Sequence, residues 1–233
     1  MSNQSKWYLA FKYWKKTKLS KFRGRPIDET FIEIYKNNFW NSKESVSGKG
    51  SDFLQTEIIV QEIPKLLEKF KVSTMHDIPC GDFNWMKQVE LKDVHYLGSD
   101  IVPELIDVNT KNFSSSSINF KLTDITNDSL PMVDLIFTRD CLVHFSYDDT
   151  RRALLNIIAS GSKYLLATSY VERERNYDIA TGEWRPINLE RKPYNFPTPL
   201  LSIIENSTED DGENPDKSLL LWEIKEVAKS VFL

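Results

Sequence analysis

The stretch MHDIPCGDFNWM, residues 75–86, decides how this chain is read. It follows the helix-like run IPKLLEKF (63–70) and precedes YLGSD (96–100). VSTMHDIP reads as a buried strand, because a short apolar run closed by proline and glycine suits a strand that enters a turn. An acid, a proline and a single glycine at the end of a strand make a turn built to hold a ligand.

Outward from that turn, strands and helices alternate. QTEIIVQEIPKLLEKF (55–70) has helical apolar spacing and reads as a kinked helix, or two short ones, around Pro64. MKQVEL (86–91) reads as a short helix and DVHYLGSD (93–100) as a second strand. PELIDVNTKNF (103–113) is a helix with Pro103 in its first turn, and INFKLTDI (118–125) and MVDLIFTRD (132–140) are further strands. SYDDTRRALLNIIAS (146–160) is a helix with a serine cap and acids in its first turn, closed by Gly161. KYLLATSY (163–170) is a fifth strand. PLLSIIENS (199–207) and KSLLLWEIKEV (217–227) form a closing antiparallel hairpin across the acidic loop STEDDGENPD. The expected fold is α/β: a Rossmann-like, seven-stranded, mostly parallel sheet with that C-terminal hairpin and helices on both faces. Residues 53–233 form this domain, and residues 1–52 form a basic arm and a covering segment.

Composition agrees with a globular domain: 233 residues are 40% hydrophobic and 12% aromatic. Apolar runs are too short to span a membrane, and the N-terminus lacks the apolar core of a secretory signal. Cys80 and Cys141 are the only cysteines, both in apolar runs. They supply neither a disulfide framework nor a zinc site, so a reducing, cytoplasmic setting and no metal are expected. Charge is uneven. Residues 1–27 carry Lys6, Lys12, Lys15, Lys16, Lys18, Lys21, Arg23 and Arg25 and no acid, although the whole chain is −4. With Trp7, Tyr8, Phe11, Tyr13 and Trp14 interleaved, residues 6–25 either contact a membrane face or an anionic ligand, or pack their aromatics on the body.

In an open α/β sheet, ligands bind beyond the carboxyl ends of the strands. That rule puts the turn after Asp77 on one rim with Asp100, Asp124 and Asp140. An acid at the end of the second strand accepts both ribose hydroxyls and repels a 2′-phosphate. The first turn disfavours pyrophosphate: Gly81 is its only glycine and Asp82 stands beside it. A cationic nucleoside fits better, and S-adenosylmethionine has that character.

The chain resembles the class I S-adenosylmethionine-dependent methyltransferases. HDIPCGDFNWM is similar to their first motif, with Pro79 and Phe83 in place of the first and third glycines and Gly81 keeping the central one. YLGSDIVPELI resembles the second motif, LTDIT the third and VDLIFTRDCLVHF the fourth. The resemblance runs from about Phe53 to Leu233. It implies a cofactor site of Asp77, Pro79, Cys80, Gly81, Asp82, Asp100, Ile101, Asp124, Ile125 and Arg139. There Asp100 takes the ribose and Asp124 the adenine amino group. SVSGKGS (45–51), with Trp40 before it, is similar to a segment of bacterial relatives that folds over the methionine end, which adds Trp40, Ser47 and Gly48. Plain structural roles stand beside these: an N-cap for Asp100, an Asx-turn for Asp124 and a flexible loop for 45–51.

Methyl transfer to a hydroxyl needs a base, and His144, just past the fourth strand, is the candidate, with Asp140 orienting it or binding the acceptor. The long segment VERERNYDIATGEWRPINLERKPYNFPTP (171–199) reads as an acceptor lid carrying Trp184, Arg185, Asn188 and Tyr194. The expected activity is O-methylation of a small molecule, sugar or surface-glycan precursor. An RNA or protein methyltransferase using the basic arm, and a non-catalytic cofactor-binding scaffold, are the alternatives. Nothing in the sequence sets the oligomeric state.

Overall fold

The computed structural model describes residues 3–230; the side chains of residues 3–6, including Lys6 of the basic arm, those of residues 210–211, and the ends of both expected segments, 1–2 and 231–233, lie outside the described residues. Helices α1 (Asn3–Leu19) and α2 (Ile27–Lys36) come first, and α3 (Phe53–Phe70) leads into β1 (Thr74–Asp77). β2 (His95–Asp100), α4 (Pro103–Phe113), β3 (Ile118–Leu122), β4 (Leu135–Thr138), α5 (Tyr147–Ala159) and β5 (Tyr164–Tyr170) follow. β6 (Leu201–Ile204), β7 (Lys217–Glu223) and α6 (Ile224–Ser230) close the fold.

The seven strands lie in the order β3-β2-β1-β4-β5-β7-β6. β1 to β5 pair in parallel, whereas β7 runs antiparallel between β5 and β6. The expected sheet and its terminal antiparallel pair are therefore present. Side chains alternate across the sheet. Leu135, Phe137, Leu166, Leu219 and Leu221 face α3, and Ile136, Leu165, Ala167, Leu220 and Trp222 face α5, α6 and the 171–200 segment. Each fully buried Leu, Ile or Phe among them contributes about 1.5–3 kcal/mol.

Local departures have local causes. α3 continues as one helix through Pro64, because Ile59, Ile63, Leu66 and Leu67 are buried on both sides of it and their packing offsets the lost hydrogen bond. MKQVEL, expected as a helix, is a 3₁₀ turn at Met86–Gln88, too short to sustain α-helical nucleation. The last strand turns helical at Ile224, where Ile224 and Val227 bury at a spacing of one helical turn. Ser146 caps α5 by accepting from the Asp149 amide at 3.1 Å, as its sequence foretells.

Candidate active site

Parallel β1, β2, β3 and β4 end on one rim, so Asp77, Asp100, Asp124 and Asp140 gather around one cavity. The cavity has about 1040 Å³ of empty space, including its open mouth.

The turn after β1 is organised by Asp100. Its Oδ2 accepts the Gly81 amide at 3.1 Å and its Oδ1 accepts the Val102 amide at 3.0 Å, tying the first turn to the start of α4. Cys80 donates its amide to the Ser99 carbonyl at 2.8 Å, and Asn109 Nδ2 donates to the Gly81 carbonyl at 2.8 Å. Phe83, where the family has its third glycine, is buried at φ +57° and packs on the rings of Tyr96, Phe113 and Phe120. An aromatic anchor thus replaces glycine flexibility. Gly81 itself has φ +56°, and an added Cβ would stand 2.2 Å from Ser47 Oγ. Gly81→Ala is expected to displace the Ser47 hydroxyl, loosen the 45–51 loop from the turn and lower the thermal midpoint, readable by thermal unfolding.

The 45–51 segment is an ordered flap. Asp82 accepts from Ser45 Oγ at 2.9 Å, from the Val46 amide at 3.0 Å and from Ser47 Oγ at 3.3 Å. Asn84 Nδ2 donates to the Ser51 carbonyl and Arg139 Nη2 to the Gly50 carbonyl at 2.8 Å. Asp82 and Arg139 both line the cavity, but their polar groups are largely taken by the protein. Arg139 pairs with buried Glu205 at 2.6 Å and with Asp140 at 3.3 Å, which leaves little of its charge for a ligand. Gly48 does not line the cavity; an added Cβ there would be 3.1 Å from Trp40 Cβ, so it sits against the indole.

Asp140, at φ +51°, joins a buried ionic cluster through Lys217 Nζ, 2.6 Å from its Oδ2. Lys217 also reaches Glu209 at 2.9 Å. Burial alone would raise the Asp140 carboxyl, but the charges of Lys217 and Arg139 outweigh it and hold it at about 2. Its Oδ1 is buried without a hydrogen-bond partner among the described residues, in a residue that borders the cavity. Three carboxylates against Arg139 and Lys217 leave the cluster net negative.

His144 lines the same cavity. Its Nδ1 lies 3.0 Å from the Glu183 carbonyl, and a carbonyl only accepts, so Nδ1 carries the hydrogen and Nε2 keeps its lone pair. Burial pushes the imidazole down to about 4, so it is neutral at physiological pH. Trp40 packs on it with ring centroids 4.8 Å apart. On the acidic rim, burial raises Asp77 to about 8 against the opposing 2.6 Å bond from Tyr96, and raises Asp100 to about 6. Burial also lifts the Cys80 thiol well above its usual range, so it is an inert wall of the pocket. Pro79, Ile101 and Ile125 line the same region, as does Asp124, whose Oδ1 also accepts the Thr126 amide at 2.8 Å in an Asx-turn.

The structure places the expected acceptor residues away from this cavity. Trp184, Arg185, Asn188 and Tyr194 do not line the cavity. Arg185 is buried and spends its guanidinium on the carbonyls of Tyr177, Leu142 and Phe145 and on the Tyr194 hydroxyl, so it is the internal clasp of the 171–200 segment. Asn188 is likewise consumed by the Val171 and Arg173 carbonyls. Trp184 packs edge-on to Tyr170. The wall is instead supplied by Ile27, Phe31, Ile34 and Tyr35 of α2, with Phe145 and Trp85. The signal was available: Ile27, Phe31, Ile34 and Tyr35 fall on one helical face directly after Pro26. Among the described residues, no group of three or more His, Cys, Asp or Glu is placed to hold a metal ion.

This strand order, with its last strand inserted antiparallel, is a Rossmann-like fold shared with solved methyltransferases. Solved structures agree. Human N-acetylserotonin methyltransferase, in complex with S-adenosylmethionine, superposes with a TM-score of 0.53 at 15% identity over 84% of this chain, which spans 64% of that enzyme. The N-methyltransferase NodS from Bradyrhizobium japonicum gives 0.55 at 15% identity, covering 75% of this chain and 98% of its own. The methyltransferase domain of bacterial CtHen1 gives 0.53 at 9% identity, covering 72% and 99%. No family model and no curated protein matches the sequence.

Proposed function

We propose that this chain is an S-adenosylmethionine-dependent methyltransferase that modifies a hydroxyl of a small acceptor. The observation that carries the reading is the presence, in one cavity, of a carboxylate rim and a neutral His144 whose Nε2 has no hydrogen-bond partner among the described residues. The donor set suits the cofactor. Asp100 and Asp140 favour a cationic nucleoside, and the single turn glycine and committed Arg139 do not suit a diphosphate. The human enzyme of the same fold, solved with S-adenosylmethionine, supports that choice.

When bound, S-adenosylmethionine supplies an electrophilic methyl group on a sulfonium. The chain's own residues do the rest. Asp100 accepts the ribose hydroxyls while it holds the turn. His144 Nε2 would take up the acceptor hydroxyl's proton as the methyl group passes to oxygen and the sulfonium leaves as a neutral thioether, and the Glu183 carbonyl fixes the tautomer. Asp140 Oδ1 orients the acceptor or the cofactor's positive end. The flap and α2 wall the site, and alignment within it lowers the barrier by removing translational freedom. The α2 wall is apolar and aromatic, so the acceptor presents its hydroxyl from a small body that stacks on rings, a sugar or surface-glycan precursor included. Incubation with S-adenosylmethionine and pooled sugars, sugar phosphates, nucleotides and phenols, read by mass spectrometry, should show an acceptor gaining one methyl group. Cofactor bound without any acceptor modified would support the scaffold reading instead.

Cofactor affinity should depend on pH. Asp100 and Asp77 are raised to about 6 and about 8, so in the empty protein their contribution to stability is fullest below the ordinary carboxylate range and is lost as pH rises through those values. A ligand that needs ionised Asp100 binds better above that range. S-adenosylhomocysteine affinity should fall roughly tenfold per pH unit below about 6, and the thermal stabilisation it confers should shrink accordingly. Affinity that stays flat down to about pH 5 would remove Asp100 from the site.

A further inference from the structure

We infer that the outward face of α1 is a docking surface for an anionic phospholipid bilayer. Trp7, Phe11 and Trp14 are spaced by four and three residues, so they form one stripe, and they are 79%, 60% and 56% exposed. The rings of Phe11 and Trp14 stack at 5.8 Å. Tyr8 continues the exposed aromatic surface, and Lys12, Lys15 and Lys18 border it.

The orientation is set by the other side of the helix. Tyr13 stacks on Tyr177 at 5.0 Å, and Thr17 Oγ1 donates to the Asp178 carbonyl at 3.3 Å. Lys16 Nζ donates to the Trp184 carbonyl at 3.0 Å and pairs with Glu183 at 3.4 Å. The aromatic stripe is therefore held pointing away from the body. Internal partners are used selectively: Lys16, Lys21 and Arg25 have carboxylates, whereas Lys12, Lys15 and Lys18 have no ion pair among the described residues.

Charge and chemistry choose the occupant. Large exposed rings in one patch mark a contact surface, and indole and phenol rings partition into the headgroup region of a bilayer. Lysines beside them reach anionic headgroups. A second copy of α1 would oppose lysine to lysine, which disfavours self-association through this face. No described helix is long and apolar enough to cross a membrane, so α1 would lie along the surface over roughly 25 Å.

The test is flotation of the full chain with vesicles of phosphatidylcholine alone or mixed with phosphatidylglycerol. Binding is expected to the mixed vesicles, little to the neutral ones, and less as salt rises. Trp7→Ser/Phe11→Ser/Trp14→Ser and, separately, Lys12→Glu/Lys15→Glu/Lys18→Glu should each lose about tenfold or more in partition, with thermal midpoints unchanged. The proposal fails if wild type does not float with anionic vesicles, or if both variants float as wild type does. It also fails if these substitutions abolish only self-association, or only binding to single-stranded RNA, with no vesicle binding to lose.

Discussion

His144→Ala should lower turnover by roughly a hundred- to ten-thousand-fold while S-adenosylhomocysteine affinity changes by less than about threefold. The size follows from the role: a base that receives a proton in the transition state contributes to the rate and little to ground-state binding. Burial holds the imidazole at about 4, so its lone pair is available across the physiological range and activity should not show the limb near 6.5 of an unperturbed histidine. The acid limb should instead follow Asp100, near 6. His144→Asn separates chemistry from architecture. Its amide N–H can replace Nδ1–H on the Glu183 carbonyl, but it offers no base, so turnover should stay low with the loop intact. Unchanged turnover in both variants would remove the base assignment.

Asp100→Asn should weaken S-adenosylhomocysteine by about a hundredfold or more, as the ribose loses charge-assisted bonds and the turn loses its tie. The two Asp100 oxygens accept the Gly81 and Val102 amides, and an asparagine presents one oxygen and one donor to those two N–H groups. That mismatch destabilises the fold, but removal of a carboxylate whose ionisation burial disfavours works the other way. The two effects oppose each other, so the thermal midpoint of the empty protein should shift far less than the affinity does. Calorimetry and thermal unfolding on the same sample distinguish them. A variant that binds as wild type does would make Asp100 a purely structural cap.

Much of the sheet was legible because its signals are local. Pro103 opens α4, Ser146 caps α5, Gly161 closes it at φ +69°, and strand alternation places the acids on one rim. What escaped depends on contacts remote in the chain. Arg185, among polar and aromatic residues of a long loop, reads as a ligand residue, yet its role is set by carbonyls of Leu142 and Phe145 that approach only in the fold. Arg139 is captured by Glu205 from the distant β6 end, and Lys217 by Asp140. Buried ion pairs of this kind carry no spacing rule. The α2 wall was periodic enough to be found as a helix, but nothing local tells which face covers the cavity.

Isothermal titration of the wild-type chain with S-adenosylhomocysteine tests the central claim most directly, that the acidic rim binds this nucleoside. The account predicts saturable heat at one ligand per chain, reduced by Asp100→Asn and absent with NAD or ATP. A folded protein that gives no heat with S-adenosylhomocysteine, or that binds a dinucleotide at the rim instead, would contradict it.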